Sequence, residues 1–279
     1  MSKTKILFIN SEIEPYMPAT HLAVIGRMLP QALQDLGHDI RVFMPRFGNI
    51  NERRNQLHEV IRLSGQNLVI NESDHSLVLK VASHSSMHTQ IYFIDNEEFF
   101  SQRGAYRDKK GNEYTDQAER CLFYARGVAE TIKNLRWTPD IIYCQGWFAA
   151  AAPMFIKKSM HDNVSFRNAK VFLALFDNPF KNEWAASTSH ILKTNGVTKS
   201  DIADIKDKKV GYKDLCKLAT KFSDGIIVSE TNVDNELIEN AKALGKTILD
   251  VSGQEDFDAE TYSNFFESFF PKEETPEDE

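Results

Sequence analysis

Lys3 to Pro45 reads KTKILFINSEIEPYMPATHLAVIGRMLPQALQDLGHDIRVFMP, and the order of its parts decides the fold. Ile6 to Ile9 is a continuous apolar run, the pattern of a central strand covered on both faces. Leu22, Ile25, Leu29, Leu33 and Leu36 recur at helical spacing, and Gly37 follows where helices end on a left-handed glycine. Asp39 to Met44 returns as the next strand. Strand, helix and strand in this order make one βαβ unit of a parallel sheet.

Outward from this unit the alternation continues. Strand-like runs lie at Leu77 to Val81, Ile91 to Ile94, Ile141 to Cys144, Val171 to Phe176, Gly225 to Ser229 and Thr247 to Val251, and helical patterns at Asp116 to Leu135, Met154 to Met160, Tyr212 to Phe222 and Asn232 to Leu244. Asp116 stands as the N-cap of its helix with Glu119 as capping-box partner. The middle breaks the rhythm, because Leu68 to Val81 and Gln90 to Ile94 are neighbouring runs with no helix between them. They are expected to form an antiparallel hairpin or meander inserted in the sheet. The fold class is therefore α/β, a single Rossmann-like, doubly wound, mostly parallel sheet. Residues 1–252 form this domain, 253–270 a C-terminal helix and 271–279 a disordered acidic tail. Asn182 to Lys209, polar and weakly periodic, is expected to be a partly mobile loop, and Arg53 and Arg54 a solvated helix face.

The net charge of −7 argues against a nucleic-acid surface, which needs concentrated Lys and Arg. No apolar run is long enough to span a bilayer, and no leader pattern opens the chain, so a cytoplasmic protein without membrane contact is expected. Cys121, Cys144 and Cys216 lack paired spacing and read as buried free thiols. His84 and His88 lack a third ligand nearby, so no metal is expected. There is no G-x-G-x-x-G and no P-loop, and no cofactor is expected.

Ligands of open α/β sheets bind beyond the carboxyl ends of strands, which selects the segments after Ile9, Cys144, Phe176 and Val228. After Ile9, Thr20 is placed to cap the first helix, whose free N–H groups face an anion site. At this loop the chain resembles the glycogen and starch synthases that use nucleotide-glucose donors (glycosyltransferase family 5). Ser11, Glu12 and Pro15 match their S-E-x-x-P, and Leu29-Pro30, Gly37-His38 and Val42 to Pro45 match later elements. Tyr92 to Asn96, Phe99, Tyr106, Tyr114, Asp116, Ala118-Glu119-Arg120 and Phe123 match a further stretch, followed by Pro139 to Ile142. The resemblance spans about residues 3 to 250 and implies one half of a GT-B fold, the N-terminal half, without the C-terminal domain that carries most of the donor site. It further implies transfer of glucose from ADP-glucose to an α-1,4-glucan.

The departures are concentrated where that reaction occurs. The family's K-T-G-G-L becomes Pro18, Ala19, Thr20, His21 and Leu22, losing a cation, an N–H and two glycines. H-D-W-H becomes Gln145-Gly146-Trp147-Phe148, which puts Gly146 at the sugar-binding carboxylate. T-I-H-N falls on Leu173 to Phe176, which puts Leu175 at the histidine; a two-residue gap keeps Asn178. Candidate substrate-binding residues are Glu12, Thr20, His21, Asp95, Asn96, Tyr106, Trp147 and Asn178, with Lys181 and Glu183 as substitutes for lost groups. Expected ligands are an α-glucan or maltooligosaccharide, with ADP-glucose as donor. Two functions are in competition: a transferase that works with a separate nucleotide-sugar-binding protein or retains weak transfer from ADP-glucose to an α-1,4-glucan, or a non-catalytic glucan-binding or regulatory subunit that kept the acceptor face and lost the donor site. A partner-binding domain with no sugar role is the third.

Overall fold

A computed structural model describes residues 3–83, 89–254 and 257–271. His84, His88 and the tail 272–279 lie outside these residues. The central strand is β1 (Lys5–Asn10), in which Ile6, Leu7, Phe8 and Ile9 are fully buried. Burial contributes roughly 1.5–3 kcal/mol for each such side chain. β1 pairs in parallel with β2 (Asp39–Pro45) on one side and, with Asn10 opposite Gln145, with β7 (Ile141–Gln145) on the other. Beyond β7 the sheet continues in parallel through β8 (Lys170–Leu175), β9 (Gly225–Val228) and β10 (Thr247–Asp250). Beyond β2 it continues through β6 (Gln90–Asp95), also parallel.

The inserted antiparallel part is a meander. β3 (His58–Glu59) and β4 (Gln66–Ile70) pair with β5 (Ser73–Ser83), which pairs with β6. The single run expected from Leu68 to Val81 is thus two strands. Asn71 and Glu72 between them have φ of 47° and 66°, the double left-handed turn that a two-residue hairpin requires.

The chain moves outward from β1 to β2 but steps the opposite way from β7 to β10, so right-handed crossovers place the helices on both faces. α1 (His21–Asp35) packs on α7 (Ala259–Glu267). A second packed layer holds α2 (Gln117–Asn134), α3 (Ala151–Met154), α4 (Thr188–Leu192), α5 (Tyr212–Phe222) and α6 (Asn235–Ala243). Thr20 caps α1 by accepting from the Ala23 N–H at 3.1 Å. The other end closes as read from Gly37: its φ is 100°, its N–H bonds the Gln34 carbonyl at 2.9 Å and the His38 N–H bonds that of Leu33 at 3.1 Å.

Three local expectations are corrected. Asp116 precedes α2 without a side-chain capping bond, because its carboxylate is taken by Arg103 Nη1 at 2.6 Å. Arg53 and Arg54 are exposed on a turn that leads into β3, and Glu52 beside them faces inward to Lys80 at 2.6 Å. The segment 182–209 is pinned to the body rather than loose: Trp184, Leu192, Ile202 and Ile205 are buried, and Trp184 pairs with Val210 as an isolated bridge.

α1 contains Pro30, which has no N–H to give to the Gly26 carbonyl one turn earlier. The side chain of Asn10, at the end of β1, donates Nδ2 to that carbonyl at 3.1 Å. Asn10→Ala is expected to lower stability to urea by about 1–3 kcal/mol, the cost of an unsatisfied buried acceptor. In a Pro30→Ala background the helix supplies the missing N–H, so the same change should cost less; equal costs in the two backgrounds would refute the pairing.

Candidate functional site

β1 lies where the strand order reverses, so the crevice beyond Asn10 and Gln145 is the switch point at which open α/β sheets hold ligands. α1 is drawn close over it. Gln145 Nε2 donates to the Leu22 carbonyl at 2.8 Å, and a Cβ on Gly26 would stand 2.3 Å from the Glu12 carbonyl oxygen. Only glycine permits that approach. The loop after β1 then delivers Glu12, 8% exposed, between two hydroxyls: Thr20 Oγ1 donates to Oε2 at 2.9 Å and Tyr106 Oη to Oε1 at 2.8 Å. Burial and the neighbouring Glu12 charge push the Tyr106 phenol well above its ordinary pKa, so it remains a donor. Glu12, Thr20 and Tyr106 therefore form one hydrogen-bonded unit.

Beside it, past the ends of β7 and β8, opens a cavity of about 760 Å³. Its apolar walls are Tyr106, Trp147 and Phe180, with the Trp147 ring 5.1 Å from each of the other two. Trp147 is 3% exposed, so it belongs to the core and to the cavity wall at once. Phe180 stacks on Trp184 at 4.7 Å, which sets its angle. Polar groups converge from Asn49, Gln117 and Asn178. Both amide atoms of Asn178 are buried with no hydrogen-bond partner among the described residues.

The hairpin bearing Tyr106 is held from below by Arg120, which is fully buried. Its guanidinium donates to the carbonyls of Phe99 at 2.9 Å and Gly104 at 3.2 Å and to Gln117 Oε1 at 2.8 Å. Rings of Tyr114, Phe148, Phe100 and Phe47 surround it at 4.8 to 5.8 Å. Burial brings its pKa down to about 10, leaving it a cation at neutral pH. From above, Glu113 accepts the backbone N–H of Lys181 at 3.1 Å and of Asn182 at 2.8 Å while Arg107 Nη2 lies at 3.1 Å. That carboxylate joins the two loops at the cavity mouth. Burial alone would raise its pKa, but these donors together hold it below the ordinary range.

The remaining expected residues scatter. His21, the first residue of α1, points to solvent and pairs through Nδ1 with Glu230 at 2.9 Å. Asp95 forms an ion pair with Lys80 at 3.0 Å, and Asn96 caps the next turn through the N–H groups of Glu98 and Phe99, each at 3.0 Å; neither lines the cavity. Leu175 is 2% exposed at the end of β8. Lys181 lines the cavity, whereas Glu183 is exposed away from it. Gly146 has φ 71° and ψ 176°, and a Cβ there would lie 2.9 Å from Leu22 Cδ1 and 3.2 Å from both Asn178 Nδ2 and Ser11 Oγ. Glu113, Gln117 and Phe180 were absent from the residues expected from sequence; the one available signal was Arg120, inside a matched motif.

A family model for the starch synthase catalytic domain matches residues 5–248. Glycogen synthase of Chlorobium luteolum is 35% identical over 172 residues, 61% of this chain and 35% of that protein. Glycogen synthase of Chlorobaculum tepidum is 28% identical over 246 residues, 85% of this chain and 48% of that protein. The chain thus spans less than half the length of either relative. Among solved structures, the catalytic domain of starch synthase IV from Arabidopsis thaliana bound to ADP and acarbose aligns with a TM-score of 0.72 at 16% identity, over 90% of this chain and 51% of that one. The likeness in structure is one of fold.

Glu113→Ala removes the shared acceptor of two backbone N–H groups. Hydrogen-exchange protection at Lys181 and Asn182 should fall about tenfold or more, with Ile142 in β7 unaffected. Undiminished protection would show that Glu113 does not hold these loops together.

Proposed function

The chain belongs to the family of starch synthase catalytic domains, and from that premise we propose that it is a non-catalytic member that binds α-1,4-glucan without transferring glucose to it. The backbone at Gly146 carries this reading. Its φ and ψ of 71° and 176° lie in a region open essentially to glycine alone, at the position where the family resemblance calls for the sugar-binding carboxylate. Leu22, Asn178 and Ser11 close the space into which such a side chain would project. The loss is built into the main chain and its packing, beyond a change of one side chain.

The donor side agrees with it. Pro18 to Leu22 offer no cation for a diphosphate, and Pro18 offers no N–H. His21 is engaged by Glu230, whose carboxylate also accepts the Asp177 N–H, so a negative charge stands at the mouth of the crevice. A diphosphate there would meet like charge. Leu175 contributes neither a proton nor a hydrogen bond. No group among these stabilises a leaving diphosphate, the largest single requirement of the transfer.

The acceptor side retains binding character. Glucose rings present C–H faces to aromatic planes and hydroxyls to polar groups. The cavity supplies Tyr106, Trp147 and Phe180 for the former and the exposed polar ends of Asn49 and Lys181 for the latter. Transfer chemistry, where a complex performs it, is assigned to a nucleotide-sugar-binding partner. Three buried thiols, Cys121, Cys144 and Cys216, with burial raising the pKa of each, fit a cytoplasmic setting.

Calorimetric titration should give saturable maltooligosaccharide binding in the micromolar to millimolar range and a flat response to ADP-glucose. Incorporation of labelled glucose from ADP-glucose into glycogen by this chain would overturn the proposal. Gly146→Asp restores the carboxylate in composition only: it should cost about 1–3 kcal/mol of stability from backbone strain and confer no donor binding.

A further inference from the structure

Asn49 lines the aromatic cavity and also a second cavity, of about 540 Å³, so the two meet at one residue. The second is built from Pro15, Tyr16, Ser83 and the segment Asn49 to Gln56. Besides Asn49 it presents Asn51, Asn55 and Gln56, the Tyr16 phenol and the Arg54 guanidinium, and no carboxylate among the described residues lines it. Tyr16 is 5% exposed, its ring edge-on to Phe93 at 4.9 Å, which fixes where the phenol lies.

These groups are under-used. Asn51 Oδ1 accepts the Arg54 N–H at 2.9 Å and Asn55 Nδ2 donates to the Asn51 carbonyl at 2.8 Å, so each amide is half engaged by the turn. Their other halves, both ends of Gln56, the Arg54 guanidinium and the Tyr16 hydroxyl have no hydrogen-bond partner among the described residues. Apart from the Arg54 guanidinium, which only donates, the polar lining is of side-chain amides and a phenol, which offer acceptors as well as donors and so match hydroxyls, themselves both donor and acceptor. Burial raises the Tyr16 pKa to about 12, so the phenol keeps its proton at any physiological pH.

We propose that this amide-rich cavity is a second seat for the same α-glucan, with Asn49 at the junction, so that a chain held by its end against Trp147 continues over Asn49 into the groove formed by Tyr16, Asn51, Arg54, Asn55 and Gln56. The proposal rests on the glucan-binding reading above and deepens it, making the protein selective for longer chains over short ones.

The test is calorimetric titration of the full chain with maltotriose and with maltoheptaose. Maltoheptaose is expected to bind about tenfold more tightly, the equivalent of one or two additional hydrogen bonds. In a Tyr16→Phe, Arg54→Ala double variant the advantage should vanish while the maltotriose Kd stays within about twofold, since neither side chain has a partner to lose. A circular-dichroism melt unchanged from wild type verifies that the variant is folded. Equal affinities for the two sugars in the wild type, or a length preference that survives in the folded variant, would overturn the second seat and leave the first standing. Absence of binding by both sugars would remove the glucan reading and the second seat together.

Discussion

Pro30 leaves the Gly26 carbonyl without its helical donor, and the Asn10 side chain supplies one from the end of β1. Much of the site depends on this bond and on its neighbour, Gln145 to the Leu22 carbonyl. Adjacent strand ends in register reach up and hold successive turns of one helix. The helix can be held so close only because residue 26 has no side chain, with the Glu12 carbonyl in the place a Cβ would take. From this follow the path of the loop after β1, the delivery of Glu12 to Thr20 and Tyr106, and the contact of Leu22 with Gly146. A proline inside a helix, ordinarily a cost of about 3 kcal/mol, here makes a carbonyl available for tertiary bonding.

A second constraint works from the opposite side of the cavity. Arg120 is a buried cation without a carboxylate partner, a costly arrangement unless every N–H finds an acceptor and the charge finds polarisable neighbours. Three of its five N–H groups have acceptors, two carbonyls and an amide oxygen, and a set of rings lies around the charge. Because its acceptors belong to the segment 99–117, neutralising the guanidinium or shortening it would release the hairpin that carries Tyr106. The cavity wall is thus held by core chemistry. The aromatic wall is therefore fixed independently of the charged groups, Glu12 and the His21–Glu230 pair, at the neighbouring crevice.

The parts of the fold legible in sequence were those where one local pattern has one outcome. The apolar run of β1, the 3.6-residue spacing of α1, the Thr20 cap and the Gly37 stop each follow from residues a few positions apart. Asp116 was misleading because its carboxylate satisfies Arg103, a partner that no capping pattern reveals. The segment 182–209 looked loose because its buried residues, among them Trp184 and Ile205, are spaced irregularly and pack against elements far away in sequence. Within the site, Glu12 and Tyr106 were recognisable by resemblance and Thr20 by its place before the first helix, although only the folded chain reveals that they bond to each other. Asp95 and Asn96 stand in an equally specific motif and serve the β6 turn instead. Motif membership does not separate ligand contacts from structure; direction into the cavity does.

Leu22, Gly146 and Asn178 form one packed corner. In a crevice that held a carboxylate at position 146, the backbone would need an ordinary φ and the space beside it would need to be open. Here the backbone has taken a glycine-only conformation, and a leucine methyl and an amide stand on either side of the direction a Cβ would take. The missing Cβ leaves room for the Leu22 methyl and the Asn178 amide to approach the same point of the main chain. Reversal would require the main chain, the leucine and the amide to move together, which single substitutions do not accomplish. The Asn178 amide, like Asn10 Oδ1 and Gln145 Oε1 nearby, is buried without a partner among the described residues, and Asn178 lines the same cavity as the aromatic rings.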